Sequence, residues 1–262
     1  MKIKKSSLIF FILIGFCILS CSSDDDVTTN EIIDNIPERL LLKTEYVRNG
    51  NLFYITSANY NTDNKIESIS TVKYSGPLFT NSMFVEYEEN KISRIHKILD
   101  RENSDANDQD IIYDVEVSDN TILLTSENDG IEISHSNGYI DSIVEFSIDN
   151  PSSINGNYYT RDDNQNLISN KFNNGNVVNS YSDYDSNKKT DQRGIVIDFP
   201  EPSYLNIFNL KLTANNPRNT SQTLLGNEGP TQYYTYEYDE LGFITKTNSS
   251  NSTSYQDSFI LE

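Results

Sequence analysis

Tryptophan is absent from this chain, and histidine, methionine and cysteine occur only twice each among its 262 residues. The two histidines, His96 and His135, fall in alternating, strand-like stretches with no cysteine nearby and no His-Glu-x-x-His spacing. They read as ordinary strand residues, which removes the usual sequence basis for a zinc site or a Ser-His-Asp triad. No Gly-rich phosphate loop and no nucleophile elbow is present. Cations are scarce as well: 20 Lys and Arg stand against 39 Asp and Glu, a formal charge of -19. That balance excludes nucleic acid as a partner, because phosphate neutralisation needs clustered Lys and Arg. It also opposes lying flat on an anionic bilayer. Alanine is rare while Asn, Ser and Thr abound, a mix that disfavours helix and favours strands joined by tight turns. Apolar residues make up only 36%, yet 17 Tyr and 12 Phe are far too many aromatics for a disordered chain.

The N-terminus carries the most specific pattern. Lys2, Lys4 and Lys5 precede an apolar run from Leu8 to Leu19, broken only by Gly15 and Cys17. The run has the length of a signal-peptide core and is short for a membrane span. Ile18-Leu19-Ser20-Cys21 follows and resembles the bacterial lipobox. The resemblance implies cleavage after Ser20 and lipidation of Cys21, with fatty acyl chains such as palmitate forming the membrane anchor. Anchors with more than one chain hold stably. Cys17 leaves with the signal and Cys21 is modified, so no disulfide forms. Ser22-Ser23-Asp24-Asp25-Asp26 resembles the short acidic export signal of Bacteroidota surface lipoproteins. It implies an outer-membrane protein facing the cell exterior. The organisation expected is a lipoprotein signal peptide over 1–20, an acidic flexible tether over 21–38 and one β-hairpin-repeat domain over 39–262.

The body alternates strand, polar turn and strand many times. Met83, Val85 and Tyr87 alternate with polar residues before the turn Glu88 to Lys91, and Ile111, Tyr113, Val115 and Val117 do so before Ser118-Asp119-Asn120. Period-two alternation puts one face on a core and the other in water. Asn137-Gly138 is a strong hairpin turn, since both residues tolerate positive φ. The unit from Tyr234 to Lys246, with Tyr238-Asp239 and Gly242, resembles the tyrosine-aspartate hairpin repeat. The same outline recurs in weaker form at Tyr60 to Ile66, Tyr87 to Ile92 and Tyr184 to Lys188. Taken together, the chain resembles uncharacterised Bacteroidota surface lipoproteins built from such hairpins, which implies a fold style and no catalytic residues. The expected fold is all-β: an antiparallel meander of repeated hairpins forming a curved sheet, sandwich or partly closed barrel. One stretch interrupts it. From Pro200 to Pro230 the pattern breaks, with Ser203 placed to cap a short helix through Leu210; the stretch reads as a long crossover or a small lid before the last hairpin, and packing under the sheet is its expected role over a functional one.

Candidate chemistry is thin. Asp105, Asn107, Gln109 and Glu116 offer oxygen ligands for calcium, but Asp110 stands where the sharp turn requires Gly. The stretch reads as a polar hairpin loop, as does the weaker string Asp183, Asp185 and Asn187. Asp141-Ser142-Ile143 resembles an O-glycosylation acceptor of exported Bacteroidota proteins, although Ser142 is expected to face inward. No catalytic residue, cofactor or metal ligand is assigned, with calcium the one cofactor left open. The expected function is that of a non-enzymatic envelope lipoprotein that binds or scaffolds, its partner a glycan or another envelope protein. A hydrolase acting on extracellular polysaccharide and a purely structural role are the alternatives. Replacing the lipidated thiol, Cys21→Ser, is expected to move the protein out of the membrane fraction, read by immunoblot after fractionation.

Overall fold

The computed structural model describes residues 42–74, 78–101, 108–150, 152, 154–172, 175–185, 204, 207–240, 242, 244–251 and 256–261. Cys21 and the tether lie outside these residues, as do Asp105, Asn107 and Ser203. Sixteen strands are present among the described residues: β1 Lys43–Arg48, β2 Asn51–Tyr60, β3 Ile66–Lys73, β4 Phe79–Glu88, β5 Lys91–Arg101, β6 Gln109–Val117, β7 Thr121–Thr125, β8 Asp129–Ser136, β9 Tyr139–Ser147, β10 Ile154–Arg161, β11 Leu167–Phe172, β12 Val177–Asp185, β13 Asn216–Leu224, β14 Asn227–Tyr238, β15 Ile244–Asn251 and β16 Gln256–Leu261. Each strand pairs antiparallel with its sequence neighbours, and β1 pairs with β16 from Thr44↔Leu261 to Arg48↔Asp257. The meander expected from the sequence is therefore present, and its ring is closed rather than partly closed. Closure leaves no unpaired edge to template aggregation.

A strict meander gives the barrel two distinct rims. Chain entry at Leu42 and the turns β2–β3, β4–β5, β6–β7, β8–β9, β10–β11 and β14–β15 share one rim, called proximal here. The turns β1–β2, β7–β8 and β13–β14, with the distal ends of the other strands, form the distal rim.

The alternating apolar residues face inward. Val85 opposes Ile95, Ile95 opposes Tyr113, and Ile122 opposes Ile133, all of them buried. Such a wide ring encloses more space than wall side chains can fill, since eight strands already leave an interior about one side-chain layer wide. The segment that interrupted the sequence pattern supplies the missing volume. Tyr204, Phe208, Leu210 and Leu212 are essentially fully buried and belong to the same apolar cluster as the wall residues. The Phe208 N–H donates to the Tyr204 carbonyl at 3.0 Å, a helical bond within the stretch where a short helix was expected; Ser203 and residues 205–206 lie outside the described residues.

The plug is held by backbone and side-chain bonds at the proximal rim. Lys211 donates to the Gly138 carbonyl at 2.8 Å and accepts from the Ile140 N–H at 3.0 Å, forming a short parallel bridge with the Asn137-Gly138 hairpin. Asn137 and Gly138 adopt φ of 52° and 78°, as the turn requires. Ala214 donates to the Gln165 carbonyl at 2.9 Å, and the Leu167 N–H donates to Thr213 Oγ1 at 3.0 Å. Arg161 ties wall to plug: its Nε donates to the Leu212 carbonyl at 3.0 Å, another nitrogen bonds Asp141 at 2.9 Å, and a third donates to the Ile140 carbonyl. Burial pulls this guanidinium below its ordinary value, and Asp141 pushes it back up.

The tyrosine-rich turns acquire a physical role here. The turns after β2, β10 and β14 share one geometry, with Asn64, Gln165 and Gly242 at φ of 59°, 63° and 88°, each donating at 3.0 Å to the carbonyl of Asn61, Asp162 and Asp239. A bulge precedes each turn, at Asn59/Tyr60, Thr160/Arg161 and Glu237/Tyr238. Bulges increase local twist and bend a strand, and these lie on the plugged rim. A tyrosine from the next hairpin then latches the returning strand: Tyr87 donates to the Ile66 carbonyl at 2.9 Å, and Tyr184 donates to the equivalent Leu167 carbonyl. Burial pushes both phenols up to about 12. The Tyr87 hairpin itself closes differently, through Glu89 and Asn90 at φ of 49° and 67°. Beyond Asp185, the Tyr184 unit falls outside the described residues.

One expectation is corrected. Ser142 pairs with Ser134 and Tyr158 while its neighbour Ile143 points to the core, so Ser142 faces outward. The Ser134/His135 bulge shifts the phase of alternation within the hairpin, which simple counting from Ile140 misses. Because Phe208 is plug rather than wall, Phe208→Ala is expected to destabilise the fold by about 3–5 kcal/mol in urea unfolding while leaving the far-ultraviolet strand spectrum unchanged.

Candidate binding cavity

The inner wall changes character along its length. Near the proximal rim it is apolar. Toward the distal rim the inward positions turn polar: on β5, Ile95 gives way to Lys97 and Arg101, and on β9, Ile143 gives way to Glu145. Lys97, Arg101, Ile143 and Glu145 line a cavity of about 400 Å³ together with Asn81, Leu99, Gln109, Asn155, Asn157, Tyr159 and Phe172. The lining comes from two walls, β4–β6 on one side and β9–β11 on the other. Arg101, Gln109, Glu145 and Asn155 are exposed although their register points them inward, so water reaches the cavity from the distal end.

Amides supply half of the polar lining, and one of them ends an organised chain. Gln222 Nε2 donates to Asn179 Oδ1 at 3.1 Å, Asn179 Nδ2 to Asn170 Oδ1 at 3.2 Å, and Asn170 Nδ2 to Asn157 Oδ1 at 3.4 Å. This chain crosses the inner faces of β13, β12, β11 and β10 with every dipole aligned, and aligned amides polarise one another. It ends at Asn157, on the cavity wall. On the facing wall the Asn81 Oδ1 is buried with no hydrogen-bond partner among the described residues. A buried acceptor without a donor costs about 1–3 kcal/mol, so a ligand hydroxyl placed there would relieve a standing penalty. Burial raises the Tyr159 phenol above its ordinary range, with Asn170 and Arg161 pulling it back. Tyr159 therefore serves as a hydrogen-bonding and packing surface rather than a base.

The sequence candidates are dispersed. His96 points outward on β5, with its Nε2 at 2.6 Å from Asp110. His135 points inward at the proximal rim and is 3% exposed, with no bond to its Nδ1. The two histidines lie on opposite faces of the wall and do not form one site. Gln109 faces the cavity while Glu116 emerges on the outer face of β6, so they cannot share one ion. No group of three or more metal-ligating side chains occurs among the described residues. The cavity residues were missed at the sequence level because they are spread from Asn81 to Phe172. One signal was available: Lys97 between Ile95 and Leu99, and Glu145 two residues after Ile143, are charges on the apolar phase of an alternating strand.

The outer wall is built for water. Arg94 pairs with Asp114 at 2.9 Å in mid-wall, Glu132 is exposed at the middle of β8, and Lys246 meets Glu237 at 3.1 Å. Apolar residues on this face are interspersed, with Phe84, Ile112, Ile154 and Tyr158 exposed. A barrel embedded in lipid needs the reverse, a continuous apolar band outside, and a cation at the bilayer midplane costs about 2–4 kcal/mol. No helix among the described residues is long and apolar enough to cross a membrane.

No protein-family model matches the chain, and no curated protein matches its sequence. Among solved structures, it is similar to a porin-like protein from Bacteroides vulgatus ATCC 8482, at 14% identity and a TM-score of 0.47, over 85% of this chain and 97% of that one. A porin-like protein from Bacteroides uniformis ATCC 8492 matches at 10% identity and a TM-score of 0.40, over 86% of this chain and 99% of that one.

His135 supplies a test of the inner-wall packing. Burial lowers its pKa, with Asp141 opposing. The unfolded chain therefore takes up the proton first, near pH 6.5, and the native state loses stability as pH falls from there toward the depressed folded value. Between pH 7 and 5, unfolding free energy is expected to fall more steeply in the wild type than in His135→Gln, by up to about 1.4 kcal/mol per pH unit. Equal slopes in urea titrations would show that His135 protonates without opening the core.

Proposed function

We propose that this chain is a non-enzymatic envelope lipoprotein whose barrel holds a saccharide-binding cavity away from its anchor. The observation that carries this reading is the position of the amide-lined cavity, at the rim opposite to the one where the chain enters at Leu42. A tether rising from a lipidated Cys21 joins the barrel at the plugged rim, which leaves the cavity facing outward from the membrane. The acidic body, at a formal charge of -19 for the whole chain, stands off an anionic surface. Outer-membrane attachment with the body outside the cell follows from the lipobox and the acidic run after it.

The chemistry of the cavity supports a polyhydroxylated ligand. Side-chain amides both donate and accept, matching hydroxyl groups, while Tyr159 and Phe172 offer apolar surface for a sugar ring. Binding is favoured over hydrolysis, because a glycosidase needs two carboxylates flanking the bond and Glu145 is the one carboxylate among the described lining residues. A bilayer pore is the reading opposed by the charged outer wall and by the buried plug.

The test is binding of the detergent-solubilised full chain to a glycan array, compared with an Asn157→Trp variant that fills the cavity. Saccharide retention by the wild type and its loss in the variant, with unchanged melting temperature, is the expected outcome. Retention of the same glycans by both proteins would place binding elsewhere and defeat the assignment.

A further inference from the structure

We infer that the cavity takes a carboxylate-bearing saccharide, a uronic-acid unit, in preference to its neutral counterpart. The inference rests on the saccharide reading above and adds the charge of the ligand.

Cations are the minority charge in this protein, yet they gather on one inner wall. Lys97 and Arg101 face inward on β5, on either side of Leu99, and both line the cavity. Arg101 pairs across the sheet with Phe79, and Phe79 in turn with Lys73, whose Nζ lies 5.4 Å from the Phe79 ring centre. Three cations thus share the inner surface of β3, β4 and β5 near the distal rim. The Arg101 position is fixed through its backbone, whose N–H donates to Asp108 Oδ1 at 2.8 Å. The opposite wall presents Glu145, Asn155 and Asn157. Lys97 and Arg101 are set on the inner face, apart from the carboxylates of the outer wall, with Arg101 open to the water that enters at the distal end. That arrangement is favourable when the cavity holds an anion.

The layout divides the work of recognition. The Arg101 fork matches the two oxygens of a carboxylate, with Lys97 adding a point charge beside it. Asn81, Gln109, Asn155 and Asn157 face the ring hydroxyls, and Phe172 offers an apolar surface to a sugar C–H face. Glu145 on the lining and Asp108 beside the Arg101 backbone limit the positive charge, which suits one carboxylate better than a densely sulfated or phosphorylated chain.

Isothermal titration of the full chain in detergent tests this, with trigalacturonate, triglucuronate and trimannuronate as probes and their methyl esters as matched neutral forms. At least one acid is expected to bind about tenfold or more tightly than its ester, as charge-assisted bonds of this kind allow. Added salt should shrink the difference. Arg101→Met and Lys97→Met should each weaken the acid more than the ester and so bring the two close together, and melting curves confirm that both variants fold. Equal affinity for acid and ester overturns the inference while leaving a neutral saccharide site standing. Failure of every acid and ester, together with failure of the glycan array, overturns the saccharide reading as well. Failure here with neutral glycans retained on the array overturns the charge assignment alone.

Discussion

A ring of sixteen paired strands encloses more space than its own side chains can fill, and the rest of the molecule follows from how that space is used. In narrow barrels the inward residues meet at the axis and form the core. Here the same inward residues stop short of one another. The interior must either receive extra chain or stay wet, and this protein does one at each end. The proximal half takes in the segment around Tyr204 to Leu212. The distal half is left open and lined with amides and charges.

The plug explains why the wall is polar where it is and irregular where it is. Arg161 would be an expense among apolar side chains, with its side chain only 6% exposed. It is tolerated because three acceptors surround it, two of them main-chain carbonyls at the junction of plug and wall. The bulges and shared turns lie at the proximal rim where the plug is gripped, and the Tyr87 and Tyr184 hydroxyls bond the carbonyls of Ile66 and Leu167 just past two of those bulges. Rim geometry and core packing are thus one device. The polar distal half depends on it too, because the apolar cluster carries the stability that an amide-lined cavity does not.

The outer surface separates this barrel from one that spans a bilayer. The Arg94–Asp114 and Lys246–Glu237 pairs lie on its outer face, where Phe84, Ile112, Ile154 and Tyr158 are interspersed rather than joined in an apolar band. The proposed site gains from the same arrangement, because a body surrounded by water can present an open rim to large polymers.

Much of the fold was legible in the order of residues. Alternation such as Met83, Val85 and Tyr87, punctuated by Asn137-Gly138 and Asp239 to Gly242, determined strands, turns and their antiparallel succession, because side-chain period and turn chemistry act over a few residues. The break from Pro200 to Pro230 was legible only in part: Tyr204 to Leu212 is buried as expected, but Asn216 to Pro230 belongs to the paired strands β13 and β14, whose Ser, Thr, Asn and Gln alternation carries too few apolar residues to read as a strand pattern. Tertiary structure alone decided the closure of β1 on β16, the face of Ser142 after a bulge, and the meeting of Lys97 and Arg101 with Glu145, Asn155 and Asn157 across the lumen. Those outcomes depend on curvature summed over every strand pair and on a plug drawn in from between β12 and β13, which no local pattern encodes.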